Sequence, residues 1–198
     1  LALAWTLRGR RTAFTGVPGQ ALRWDDETHA RAQARLPFTL TPGQGATLDD
    51  IRADVRQPTP MYRLLQGDVG SGKALLAPTS VLAQQHADFI ARCLVGTRVQ
   101  IGLLTGGTSA RDREQLLASI ANGSCHLLVG THALLTDEVR FQDLAVVVID
   151  EQHKFGVHQR AALVNKATIR PHLLLMTATP IPRTLALTAF GDLAVSRI

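Results

Sequence analysis

Six short apolar runs punctuate the second half of the chain and its approach: YRLLQ (62–66), ALLAP (74–78), RVQIGLL (98–104), HLLVG (126–130), LAVVVID (144–150) and HLLLMTA (172–178). Helical patterns lie between them. In SVLAQQHADFIARCLV (80–95), Leu82, Phe89, Ile90 and Cys93 recur on one face; SARDREQLLASIANG (109–123) has Ser109 as its cap and Gly123 as its stop. Upstream, DETHARAQARLPF predicts a helix from about Asp26 that ends before Pro37. Thr41 is an N-cap, Pro42 suits the first helical position, and Leu48, Ile51 and Val55 continue at helical spacing to near Gln57. Strands alternating with helices predict an α/β fold, a mostly parallel sheet with helices on both faces. Ligands of such sheets bind beyond the carboxyl ends of the strands. The polar motifs that follow these runs should therefore gather along one rim. Residues 1–35, rich in Arg and Ala, read as an arm linking to an absent upstream domain.

A chain of 198 residues that is 45% apolar can bury a core of its own, which excludes disorder. Its net charge of +5 and pI near 10 suit a polyanionic partner without identifying one. Cys93 and Cys125 stand in apolar contexts without metal-type spacing and read as reduced core thiols of a cytoplasmic protein. No stretch approaches the roughly 18 apolar residues of a membrane span. The chain opens on Leu rather than Met and stops at Ile198, and is expected to be a piece of something longer.

GDVGSGK (67–73) directly follows an apolar run and has the spacing of a phosphate-binding loop without its final Ser or Thr. In such a loop Gly67, Asp68, Val69, Gly70, Ser71 and Gly72 turn backbone N–H groups toward phosphate oxygens, and Lys73 neutralises them. Ala74 stands where a magnesium-binding hydroxyl belongs. A phosphate-loop Lys opens a helix, and a parallel crossover needs a dozen or more residues. Only Ala74 and Leu75 separate Lys73 from LAPT, which itself reads as the next strand end. Some 15–20 residues are therefore expected to be missing between 73 and 74, through a gap or a deletion. A gap would put the Cα atoms of Lys73 and Ala74 much farther apart than about 3.8 Å.

The partner of a phosphate loop is an acidic residue closing a buried strand, and LAVVVIDEQH supplies it. Asp150 would hold Mg²⁺ through its water shell, and Glu151 would orient and deprotonate the water attacking the γ-phosphate of ATP. A simple nucleotide binder has no need of Glu151. A non-hydrolysing DNA-binding scaffold with a degenerate site is the competing reading.

With these motifs go LPFTLTPGQ (36–44), LAPTSVLAQQH (76–86), LLTGG (103–107), LLVGTHALL (127–135), VVIDEQHKFGVHQR (147–160) and MTATPIPRTLALTAFGDL (176–193). In order and spacing they resemble the superfamily-two helicases and translocases, and within them the RecG-type ATP-dependent DNA helicases. Transcription-repair coupling translocases share GTH and TATPIPRT and stand as the alternative. The resemblance implies a RecA-like P-loop NTPase domain over 36–198, the first of two motor domains, acting on branched DNA such as stalled forks and Holliday junctions in recombination and repair. It implies that Gln44 reads adenine and that Asp150, Glu151, Gln152 and His153 form a DEQH box. Thr177, Ala178 and Thr179 would couple nucleotide state to DNA grip. Pro78, Thr79, Gly106, Gly107, Thr131 and His132 would hold the DNA backbone without reading bases. Arg111, Arg113, Lys154, Arg160 and Arg183 could add salt-dependent affinity. Expected partners are ATP, Mg²⁺ and DNA, with the protein a monomer and no membrane partner. The resemblance also implies an N-terminal wedge domain that splits branched DNA, a second motor domain and its arginine motif, all expected to lie outside these 198 residues, so the chain alone should hydrolyse ATP poorly.

Overall fold

A computed structural model describes residues 18–66, 76–178 and 193–198. The phosphate loop Gly67–Lys73 with Ala74, the expected break after Lys73, Thr179 and Arg183 lie outside the described residues.

Helix α1 (Asp26–Gln33) starts at Asp25, whose carboxylate accepts from the Thr28 N–H at 2.9 Å. Those hydrogen bonds, with Arg23 beside it, hold the Asp25 carboxyl well below the usual range. Helix α2 (Pro42–Val55) begins in a capping box: Thr41 Oγ1 accepts from Gln44 N–H, and Gln44 Oε1 accepts from Thr41 N–H. Then follow β1 (Tyr62–Gln66), α3 (Ser80–Cys93) capped by Thr79, and β2 (Ile101–Leu104). Next come α4 (Ala110–Ala121), capped by Ser109 and stopped by Gly123 at φ 76°, and β3 (Leu127–Gly130). The chain continues through β4 (Val146–Ile149), α5 (Val157–Val164), β5 (His172–Thr177) and β6 (Ala194–Arg197).

Every described strand pairing is parallel. One part of the sheet runs β4-β5-β1-β6 and the other β2-β3. Leu76 joins them: it pairs with Gly130 on one side and Ile149 on the other. Its N–H donates to Val148 O, its carbonyl accepts from Asp150 N–H, and Ala77 N–H donates to Gly130 O. The whole order is therefore β2-β3-Leu76-β4-β5-β1-β6.

Alternation along the strands sorts side chains onto two faces. Leu64, Leu76, Leu104, Val147, Ile149 and Leu175 face a core completed by Ile120 of α4 and Leu163 of α5. On the opposite face Ala77 and Val129 meet Ala83 and Ala87 of α3, while Leu65, Val148 and Met176 form a separate patch. A leucine buried as fully as Leu64 or Leu175 contributes about 1.5–3 kcal/mol. The buried stripe of α3 differs from the expectation: its centre is Ala83 and Ala87, with Leu82, Phe89, Ile90 and Cys93 only half-buried at its flanks. Small side chains mark the close helix-to-sheet approach, and the large ones wrap around it.

The described part of the arm lies against the domain. Gly19 pairs with Arg170, Leu22 N–H donates to Val55 O, and fully buried His172 clamps the segment. Its Nδ1 accepts from Met61 N–H at 2.9 Å, which leaves Nε2–H to donate to Gln20 O at 2.7 Å. Arg63, a charge within the apolar run of β1, ties that strand to α2 and β6. Its Nε donates to Asp54 at 2.8 Å and its Nη1 to Asp50 at 3.0 Å and to Ser196 Oγ. Both thiols are free, and burial pushes that of Cys125 up, as befits an inert core cysteine.

Candidate nucleotide and DNA-facing rim

Because the strands are parallel, their carboxyl ends share one rim, and the sheet order fixes the sequence of loops along it. Gly106 and Gly107 follow β2, Thr131 and His132 follow β3, and Pro78 and Thr79 follow Leu76. Asp150 to His153 follow β4, Thr177 and Ala178 close β5, and β1 ends at Gln66, immediately before Gly67. The loops assigned to DNA therefore sit together on one half, and the acidic turn and the end of β1 on the other. Gln44 is carried by the first turn of α2, not by a strand end. Ile198 N–H donates to Gln66 O, and Ile198 Cα lies 3.8 Å from where a side chain on Gly43 would begin, which brings that turn to the end of β1.

The centre of the rim is the turn after β4. Asp150 still belongs to the ladder through its N–H, its Oδ1 accepts from Glu151 N–H at 2.9 Å, and its Oδ2 lies 3.0 Å from His86 Nε2 of α3. Glu151 takes up φ 47° and ψ 53°. It has the only positive φ among the described non-glycine residues. Left-handed backbone costs a side-chain-bearing residue about 1–2 kcal/mol, and such strain concentrates at functional sites. Its Oε2 is buried without a hydrogen-bond partner among the described residues; His153 Nδ1 stands 3.4 Å away, within ion-pair reach but out of line for a hydrogen bond. A buried carboxylate oxygen that accepts no hydrogen bond is an exception in folded proteins, and a catalytic role is one of its explanations.

Gln152 is buried, and its Oε1 accepts from Arg160 Nη1 at 2.6 Å, so it braces the turn from beneath. Thr177 is fully buried at the end of β5. Among the DNA-assigned residues, Gly106, Gly107, Thr79 and His132 are exposed and Pro78 is half-buried, whereas Thr131 is buried, its N–H donating to Leu104 O. The His132 ring packs on Phe155 with centroids 4.9 Å apart. Thr79 Oγ1 caps α3 by accepting from Leu82 N–H. Of the cations noted in the sequence, Arg113 is bound to Glu138 at 2.7 Å and Arg160 to Gln152. Gln44 spends a lone pair of Oε1 on its own helix cap and retains the other.

Two features escaped the sequence reading. The backbone strain at Glu151 has no sequence signal. His86 had one: it is a titratable residue beside the Ala83 and Ala87 stripe of an otherwise apolar helix face, so something polar had to meet it.

The model of the DEAD/DEAH box helicases matches residues 58–188, from the approach to β1 through the phosphate loop and the DEQH turn. The chain belongs to this family. Among the curated members of the family it is similar to RecG-type proteins. It is 46% identical to the ATP-dependent DNA helicase RecG of Bacillus subtilis (strain 168) over 207 aligned residues, covering 96% of this chain and 30% of the relative. To the RecG of Treponema pallidum (strain Nichols) it is 46% identical over 187 residues, covering 82% of this chain and 27% of the relative. A solved RecG bound to a three-way DNA junction superposes with a TM-score of 0.75 at 34% identity, over 98% of this chain and 28% of that one. A DEAD box protein from Methanococcus jannaschii, 16% identical with a TM-score of 0.52, covers 81% of this chain and 55% of that one, and shares the RecA-like fold. The helicase-family chain thus spans about 30% of the length of these RecG relatives. Among its described residues no helix is long and apolar enough to cross a membrane.

Proposed function

We propose that residues 36–198 are the first motor domain of an ATP-dependent DNA helicase that remodels branched DNA in recombination and repair, in the cytoplasm. The observation that carries this reading is the β4 turn: an acidic pair at the C-terminal end of an interior strand, the second member strained and with an oxygen that accepts no hydrogen bond among the described residues, beside loops suited to DNA and the strand end that leads into Gly67. The junction-bound RecG neighbour supports the choice of DNA substrate.

In this reading Gly67, Asp68, Val69, Gly70, Ser71, Gly72 and Lys73 hold the ATP phosphates and Gln44 reads adenine. Mg²⁺ fits the donor set. Asp150 offers a carboxylate at the rim, and among the described residues no group of three or more His, Cys, Asp or Glu competes as a cage. Mg²⁺ characteristically takes one or two carboxylates plus phosphate oxygens and water. When bound, it neutralises charge developing on the transferred phosphoryl group. Glu151 Oε2 accepts the proton of the attacking water, and Gln152, pinned by Arg160, keeps the turn from relaxing. Thr177, Ala178 and Thr179, with His153, pass the nucleotide state along the rim to Pro78, Thr79, Gly106, Gly107, Thr131 and His132, which hold DNA by its backbone. Buried Thr131 would contribute by shaping its loop, and exposed His132 by contact. Completion of the site by an arginine from a second motor domain would be worth about 10³ to 10⁵ in rate.

The test is junction-stimulated ATP hydrolysis by the full-length parent, wild type against Glu151→Gln. Loss of a general base predicts a fall of about 10² to 10⁴ in kcat with nucleotide binding retained. Equal rates would remove Glu151 from the chemistry and leave the DNA-binding scaffold.

A further inference from the structure

Most polar residues of helix α3 face solvent: Ser80, Gln84, Gln85, Asp88 and Arg92 are all exposed, while Ala83 and Ala87 lie on the sheet. His86 is the exception. Its side chain is 18% exposed, and its Nε2 stands 3.0 Å from Oδ2 of Asp150, whose side chain is 14% exposed. The helix has no need of His86 for packing, because the alanines supply the close approach to the sheet. Nor does the Asp150 backbone depend on it, since that N–H is bound to Leu76 O. What the contact sets is the carboxylate.

An ionised carboxylate can only accept, so Nε2 carries the proton of this bond whichever charge the imidazole has. The other oxygen, Oδ1, accepts from Glu151 N–H at 2.9 Å. The Glu151 bond anchors one oxygen; the His86 bond anchors the second and so fixes the plane of the group. The two donors belong to different elements, the turn after β4 and the helix on the sheet face, which ties that plane to both layers of the fold. Bonds to an ionised acceptor are roughly twice as strong as neutral ones, enough to hold a short side chain in one orientation. Because Glu151 N–H shares the same carboxylate, the orientation of Asp150 also bears on the strained residue beside it.

We propose that His86 is a positioning residue: it holds the Asp150 carboxylate in the orientation that a Mg²⁺–nucleotide complex requires, acting through Asp150 rather than on the nucleotide. The inference rests on the nucleotide reading of the β4 turn and deepens it. A carboxylate that is oriented beforehand needs no ordering when the complex arrives. Hydrogen-bonding partners of this outer kind are typically worth about 10- to 100-fold in metal affinity or activity. A carboxylate that meets the ion through its water shell belongs at the low end, about tenfold. The competing role is a purely structural clasp between α3 and β4, and it makes a different prediction.

Two variants of the full-length parent separate the roles. His86→Leu keeps the bulk and removes the donor; His86→Gln keeps an N–H donor at about the reach of Nε2. The main readout is binding rather than turnover: the Mg²⁺ concentration that half-saturates the tightening of a fluorescent ADP analogue. It should rise about tenfold in His86→Leu and stay within about threefold of wild type in His86→Gln, with metal-free binding of the analogue alike in all three proteins. Junction-stimulated ATP hydrolysis should show the same raised Mg²⁺ requirement in His86→Leu, with kcat recovering to within about threefold at saturating Mg²⁺. Equal Mg²⁺ requirements in the two variants overturn the proposal. So does a lowered thermal midpoint in His86→Leu with its Mg²⁺ requirement unchanged, the mark of a clasp. Should His86→Leu fail to fold, His86→Asn takes its place: its amide matches Nδ1, falls short of Oδ2, and should raise the requirement likewise, and a normal requirement there overturns the proposal. Asp150→Asn tells the two possible failures apart. An unchanged Mg²⁺ requirement in Asp150→Asn removes the nucleotide reading of the turn and the proposal with it; a raised one, with His86→Leu normal, removes the positioning role alone.

Discussion

Arg63→Met tests whether α2 and β1 are held as one unit. Methionine keeps most of the apolar stem, so the loss is that of the guanidinium contacts: Asp54 at 2.8 Å, Asp50 at 3.0 Å and Ser196. The Arg63 side chain is 10% exposed, while the carboxylates are 54% and 31% exposed. Breaking a fully buried pair costs about 3–5 kcal/mol, because the abandoned charge stays dry. Here water can reach both aspartates, and Ser196 Oγ still donates to Asp50 at 2.7 Å. The expected loss is therefore about 2–3 kcal/mol, above that of a surface pair and below that of a sealed one. For a domain of this size it lowers the thermal midpoint by about 4–12 °C. Urea unfolding should show a reduced midpoint with an unchanged slope. Asp54→Asn and the double variant complete a cycle whose coupling should exceed about 1 kcal/mol. A loss under about 0.5 kcal/mol, or strict additivity, would refute the view that this network fixes the helix bearing Gln44 to the strand that leads into the phosphate loop.

Gly130→Ala should cost about 2–3 kcal/mol, read by the same unfolding measurement. The new Cβ would sit 2.2 Å from Leu104 O, and backbone on a neighbouring strand cannot step aside as a side chain can. At acid pH, α1 should fray before the sheet melts. The Asp25 carboxyl is held low by its bonds to Thr28, so its cap is fully effective above the ordinary aspartate value of about 3.9 and fades as pH falls below it. Far-ultraviolet dichroism of the wild type against Asp25→Asn, which caps without titrating, should show the acid-induced helix loss only in the wild type.

The runs that became β1, β4 and β5 were legible because a parallel strand covered on both sides must be apolar at successive positions, as VVVI and HLLLMT are. Caps at Thr41 and Ser109 were equally local, a hydroxyl three residues ahead of the N–H it receives; the same arrangement at Thr79 went unread because that residue was taken up by the DNA assignment. Strand β6 was not legible: AVSR has neither a run nor an alternation of apolar residues, and it becomes a strand because the edge of β1 is there to pair with. Helix α5 was hidden for the opposite reason, its VHQRAALV starting inside a stretch already absorbed into the DEQH motif. The identities in that motif were plain in the sequence, but the left-handed backbone of Glu151 and the reach of His86 to Asp150, 64 residues apart, depend on tertiary placement that no local pattern encodes.

Leu76 has a mechanical meaning beyond its place in the strand order. Among the described residues it is a seam one residue wide between β2-β3 and β4-β5-β1-β6, held by its bonds with Val148 and Asp150 and by that from Ala77 to Gly130. Sheets tear where the ladder is shortest, so the domain should open as two cooperative blocks, with amide exchange in β2 and β3 faster than in β5. The tear line falls between the loops assigned to DNA and those assigned to nucleotide. A pull on one group of loops would thus be felt by the other as a load on Asp150, the residue whose own N–H closes the seam.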